Sequence, residues 1–110
     1  MTQLDKQALE ARIDERIHET LDHWIDQLAR LCAQPSISAQ RLGIDECAEL
    51  TATMLREQGY SAEILPTGGS PIVHGERAGT SERTLLFYNH YDVQPPEPLG
   101  GRAAGCDEVR

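Results

Sequence analysis

The stretch Leu85-Leu86-Phe87-Tyr88-Asn89-His90-Tyr91-Asp92-Val93-Gln94-Pro95-Pro96 decides the reading of this chain. An apolar run enters a histidine and a carboxylate two residues apart, and two prolines then end it. Side chains alternate faces in an extended chain, so His90 and Asp92 are expected on one side of a strand, at its carboxyl end. A neutral imidazole ligates a metal through one ring nitrogen while the other donates to a carboxylate that fixes its tautomer. His90 is therefore a candidate metal ligand and Asp92 the acid that orients it. On spacing alone, a strand that merely finishes in polar residues fits as well.

Working outward, Tyr88-Asn89-His90-Tyr91-Asp92-Val93-Gln94-Pro95-Pro96-Glu97-Pro98 resembles the first metal-site motif of the co-catalytic zinc aminoacylases and peptidases, in their dipeptidase-like branch. That family includes acetylornithine deacetylase, succinyl-diaminopimelate desuccinylase and the carnosine-type dipeptidases. Pro35-Ser36-Ile37-Ser38, Glu46-Cys47-Ala48-Glu49-Leu50 and Pro66-Thr67-Gly68-Gly69-Ser70-Pro71-Ile72-Val73 are similar to the segments that precede the motif there, in the same order. The resemblance covers residues 4 to 99.

It implies a hydrolase with two zinc ions, in which the residue matching His90 ligates one zinc and the residue matching Asp92, counted with the catalytic groups, steers that imidazole. The implied fold class is α/β, the N-terminal part of a three-layer metallohydrolase catalytic domain, with two helices followed by about three strands of a mixed sheet. The implied substrate is a small peptide or an N-acyl amino acid, cleaved at an amide bond, and the intact parent is expected to form a homodimer.

The family's bridging aspartate, glutamate base, further acidic ligand and late histidine have no match here. One histidine does not hold a catalytic zinc, which needs about three protein ligands and an open position. Residues 1 to 99 read as part of a catalytic domain, and residues 100 to 110 as a divergent tail. Asp107, in Gly101-Arg102-Ala103-Ala104-Gly105-Cys106-Asp107, lies too close to His90 in sequence to match the bridging aspartate. The expected product is an N-terminal fragment from a truncated or frameshifted gene, inactive alone and poorly soluble through the exposed edge of its apolar third strand. The competing reading is a non-enzymatic interaction module whose His-x-Asp pair is a relict; a third is a fragment that completes its site with a second polypeptide.

Composition narrows the partners. The chain has 110 residues, 39% hydrophobic, with 18 acidic against 10 basic side chains and a formal charge of −8. That is enough for one small domain, and the charge disfavours nucleic acid or an anionic membrane. The sequence shows no secretory signal or membrane-spanning run, so the expected compartment is the cytoplasm. Cys32, Cys47 and Cys106 lack the close pairing of a structural zinc or redox motif, and Cys32 and Cys47 read as small core residues.

Leu9, Ile13, Ile17, Leu21, Trp24, Leu28 and Leu31 recur at helical spacing, predicting an amphipathic helix from about Leu4 to Ala33, ended by Pro35. His18 and His23 lie five apart on it, about 140° around the axis, and do not share a metal as residues four apart would. A polar connection from Gln34 to Gly43 follows, in which Ser36 and Ser38 read as solvent or turn chemistry. A second helix is predicted from about Ile44 to Gln58, with Cys47, Leu50, Met54 and Leu55 as its buried stripe and Gly59 as a left-handed cap. Strands are predicted at Ser61 to Leu65, Pro71 to Glu76 and Thr84 to Asp92, the third central in the sheet. His74 reads as a half-exposed strand residue.

Overall fold

A computed structural model of the chain describes residues 2–95. The divergent tail, with Cys106 and Asp107, lies outside the described residues. The chain divides into two units, Met1–Arg30 and Leu31–Arg110.

The first unit is all but the last turn of helix α1, Gln3–Ala33. Its start is fixed by a reciprocal cap. The Asp5 backbone N–H donates to Thr2 Oγ1 at 3.2 Å, while the Thr2 backbone N–H and hydroxyl donate to Asp5 Oδ2 at 3.2 and 2.6 Å. Two otherwise unpaired donors at the helix end are thereby satisfied, and a negative charge is placed at the positive end of the helix dipole. These hydrogen bonds, the hydroxyl's first, hold the Asp5 carboxyl below its ordinary value. A group with a lowered folded pKa stabilises above its unfolded value of about 3.9 and loses that contribution as pH falls through the folded value. Helix content of α1 is therefore expected to drop on acidification below about pH 4 by more in the wild type than in Thr2→Ala, as read by circular dichroism.

The second unit contains helix α2, Ile44–Glu57, and strands β1, Ser61–Leu65, and β2, Ile72–Glu76. The strands pair antiparallel, Ser61 opposite Glu76 and Leu65 opposite Ile72, as a two-stranded sheet. In β1 only Ala62 and Ile64 are half-buried, the alternation expected of a strand covered on one face. The connecting loop is held by Thr67, whose hydroxyl donates to the Ser70 carbonyl at 2.7 Å and accepts from the Gly69 N–H at 3.2 Å.

Helix α2 packs on this hairpin through small residues. Ile44, Cys47, Ala48 and Ala52 are its buried positions, whereas Leu50, Met54 and Leu55 are only half-buried. The stripe thus differs from the sequence expectation, because close approach of helix and sheet favours small side chains at the centre of the contact. Gly75 of β2 shows how close: a Cβ built there falls 2.9 Å from Leu55 Cδ1. The helix ends as expected at Gly59, with φ of 84°, where the Gly59 N–H bonds the Arg56 carbonyl at 3.0 Å and the Tyr60 N–H the Leu55 carbonyl at 3.1 Å. This Schellman closure satisfies the last carbonyls and turns the chain into β1. Arg56 reinforces the corner by donating to the Ala62 carbonyl from Nε and Nη2, at 3.2 and 2.8 Å.

The third predicted strand does not form. Residues 84–90 carry no regular secondary structure and are exposed, Leu85, Leu86, Phe87 and Tyr88 by 76–91%. A strand exists by its hydrogen-bonded ladder, and among the described residues no strand lies beside this run to supply one. Four consecutive large apolar or aromatic side chains are thus exposed to solvent.

Candidate metal centre

Two segments far apart in sequence build the site. The first is the loop between α1 and α2. Ile37 and Leu42 pair across it, with reciprocal N–H donation at 2.9 and 3.1 Å, and enclose a 3-10 turn, Ser38–Gln40. Closing so small a loop requires left-handed backbone at Arg41, φ 50°, and at Gly43, φ 69°. Gly43 also presses on Pro35, because a Cβ at this position would meet the Pro35 carbonyl oxygen at 2.1 Å. Only glycine fits there.

The second segment, Tyr91–Val93, is anchored to its surroundings at every residue. The Tyr91 hydroxyl donates to the Pro71 carbonyl at 2.5 Å, just before β2. The Tyr91 carbonyl accepts the Cys47 thiol of α2 at 3.8 Å. The Val93 N–H donates to the Ser36 carbonyl at 2.8 Å, and the Ser38 hydroxyl donates to Asp92 Oδ2 at 2.5 Å. Burial, and then the neighbouring Cys47, Asp45 and Asp92, raise the Tyr91 phenol above its ordinary value, so it remains a hydrogen-bond donor.

His90 stands immediately before this anchored segment. Its Nδ1 lies 2.9 Å from the Asp92 carbonyl oxygen and 3.2 Å from Asp92 Oδ1. Both neighbours of Nδ1 only accept hydrogen bonds when Asp92 is ionised, so the neutral ring carries its proton on Nδ1 and leaves the Nε2 lone pair free. The hydrogen bond from Ser38, opposed by partial burial and reinforced by the Asp92 backbone N–H and by His90, keeps the Asp92 carboxyl below its usual range. The imidazole is 80% exposed and the carboxylate 39%. The pair is thus formed and open to solvent.

Within the second unit, the other candidates are not brought to this pair. His74 is exposed on β2 opposite Glu63. His18 and His23 belong to the first unit, and His23 makes an edge contact with Trp24 at 4.9 Å between ring centroids. Cys47 is buried and Cys32 half-buried. Among the described residues no three His, Cys, Asp or Glu side chains converge to hold a metal ion. The donor set therefore fits one corner of a metal site and not a whole one. Ser38 corrects the sequence reading, which left it to solvent or turn chemistry. Its partner lies 54 residues away, and its place in Pro35-Ser36-Ile37-Ser38, ahead of the histidine motif, was the one available signal.

No family model matches the chain. The Cys-Gly metallodipeptidase dug1 of Schizosaccharomyces pombe is 30% identical over 98 aligned residues, covering 76% of this chain and 21% of that protein. Among solved structures, the M20 family metallo-carboxypeptidase Sso-CP2 of Sulfolobus solfataricus matches with a TM-score of 0.65 and 40% identity, over 69% of this chain and 18% of that one. The chain resembles the M20 metallopeptidases. It spans about a fifth of the length of these relatives. The M20 likeness confirms the α/β class, here two helices followed by an antiparallel hairpin. No helix among the described residues is long and apolar enough to cross a membrane.

Proposed function

We propose that this chain supplies one corner of a zinc site that hydrolyses amide bonds in small peptides or N-acyl amino acids, with His90 as ligand through Nε2 and Asp92 as the carboxylate that orients it. The observation that carries the reading is the double acceptor at His90 Nδ1, which reserves Nε2 for a metal. Imidazole beside carboxylate suits zinc, and a dipeptidase is the chemistry of the curated relative.

What bound zinc supplies in such a site is a water of lowered pKa and a polarised substrate carbonyl. The chain's own residues hold and aim one ligand. Ser36, Ser38 and Cys47 fix the Asp92 segment, Asp92 keeps the proton on Nδ1, and the exposure of His90 leaves room for the remaining ligands and the substrate. With one imidazole and no converging third donor among the described residues, the 110-residue chain by itself is expected to bind zinc weakly and to hydrolyse nothing. A working site built on this corner would need further ligands beyond the described residues.

Calorimetric titration with zinc tests this. A single weak site in the wild type that disappears in His90→Ala supports the ligand role. Equal heats from both, or none from either, would leave an interaction module with a relict His-x-Asp pair as the better account.

A further inference from the structure

We infer that Ser38 is a positioning residue for the His90 imidazole, its hydroxyl gripping one oxygen of Asp92 so that the other faces Nδ1. The purpose of this arrangement rests on the metal reading of His90. The arrangement itself does not.

A carboxylate on a surface segment turns freely about its last bond, and its two oxygens are equivalent. A donor fixed on one of them sets the plane of the group and so decides where the other points. Ser38 meets that need: its hydroxyl is 2.5 Å from Oδ2, and Oδ1 is then 3.2 Å from His90 Nδ1. A hydroxyl has a single proton to give, and here it goes to Asp92.

The donor is itself held. Ser38 opens the 3-10 turn whose N–H groups at Gln40 and Arg41 bond the Ile37 and Ser38 carbonyls at 3.2 and 3.1 Å, inside the Ile37–Leu42 pairing. The same loop is tied to the histidine segment once more, by the Val93 N–H on the Ser36 carbonyl at 2.8 Å. Serine and carboxylate are therefore locked in register from two sides. Ser36 provides the contrast within the loop, being 4% exposed with a hydroxyl that has no hydrogen-bond partner among the described residues. One serine packs and the other orients.

Without the Ser38 hydroxyl, Asp92 is released to rotate and Nδ1–H retains only the Asp92 carbonyl as a firm acceptor. The ring proton then spreads to Nε2, and a protonated Nε2 has no lone pair for a metal.

The test is nitrogen-15 NMR of labelled histidine in the metal-free 110-residue chain at about pH 8.5, where an ordinary histidine is neutral. Wild type is expected to hold the His90 proton mainly on Nδ1. Ser38→Ala is expected to raise the Nε2–H population at least two-fold and to weaken zinc binding by about ten-fold, the usual scale for losing an outer hydrogen bond at a metal ligand. Ser38→Cys keeps the shape of the side chain and offers only a weak donor, so it is expected to move the ratio in the same direction with the fold intact. Ser36→Ala keeps the backbone carbonyl that accepts from Val93 and removes only a hydroxyl that bonds nothing among the described residues, so it is expected to leave the ratio unchanged. A folded Ser38→Ala or Ser38→Cys with the wild-type ratio, or a Ser36→Ala that shifts it equally, overturns the inference. Failure of the wild type to bind zinc counts against the metal reading alone, since the proton ratio is measured without metal.

Discussion

Replacing Gly43 by alanine is expected to destabilise the chain by about 2–4 kcal/mol, with the midpoint of urea unfolding moving down accordingly. Two costs combine. The left-handed backbone, φ 69°, is unfavourable for any residue with a Cβ, and that Cβ would stand 2.1 Å from the Pro35 carbonyl oxygen, a backbone atom that cannot step aside as a side-chain tip would. Gly43 also precedes α2, whose buried Ile44, Cys47, Ala48 and Ala52 form the small core of the second unit. Fully burying Ile44 contributes about 2 kcal/mol, so a shift at Gly43 disturbs a large share of what this core provides. The comparison variant is Gly75→Ala, where the built Cβ meets only the end of the Leu55 side chain. It is expected to cost less, because Leu55 can change rotamer. Equal losses in both variants would contradict the account of the loop.

Asp92→Ala is expected to weaken zinc binding by about 10–100-fold while His90 remains in place. The substitution removes the side-chain acceptor for Nδ1 and leaves the part-buried Ser38 hydroxyl without the carboxylate it now bonds. Asp92→Asn is the sharper variant, since its amide oxygen can serve either Ser38 or His90 but not both as the carboxylate does. It is expected to fall between wild type and alanine in a zinc titration. Affinity unchanged in both variants would show that the carboxylate does not hold the ring.

Much of the fold is legible in the sequence because local signals carry it. The helical recurrence from Leu9 to Leu31 with Pro35 beyond it places α1, and Gly59 places the end of α2 because a left-handed cap needs that residue type. Three features escape such reading. Leu85-Leu86-Phe87 is apolar enough for a central strand, but pairing is a property of two segments, and no described partner stands beside it. Cys47 is buried as expected, but Ala48 and Ala52 share the centre of α2 with it ahead of the larger Leu50 and Met54, because the hairpin approaches too closely for large side chains. The Ser38–Asp92 bond spans 54 residues, and no local pattern announces a contact of that range. The His90–Asp92 contact lies within three residues and so is local in sequence, but the strand on which the expectation of a shared face rested does not form.

The most direct test of the central claim is to follow the two ring nitrogens of His90 by nitrogen-15 NMR while zinc is added to the 110-residue chain. A selective shift of the Nε2 resonance on binding, with Nδ1 still carrying its proton against Asp92, is the expected result. Zinc that moves neither nitrogen, or that binds through Nδ1, would contradict it.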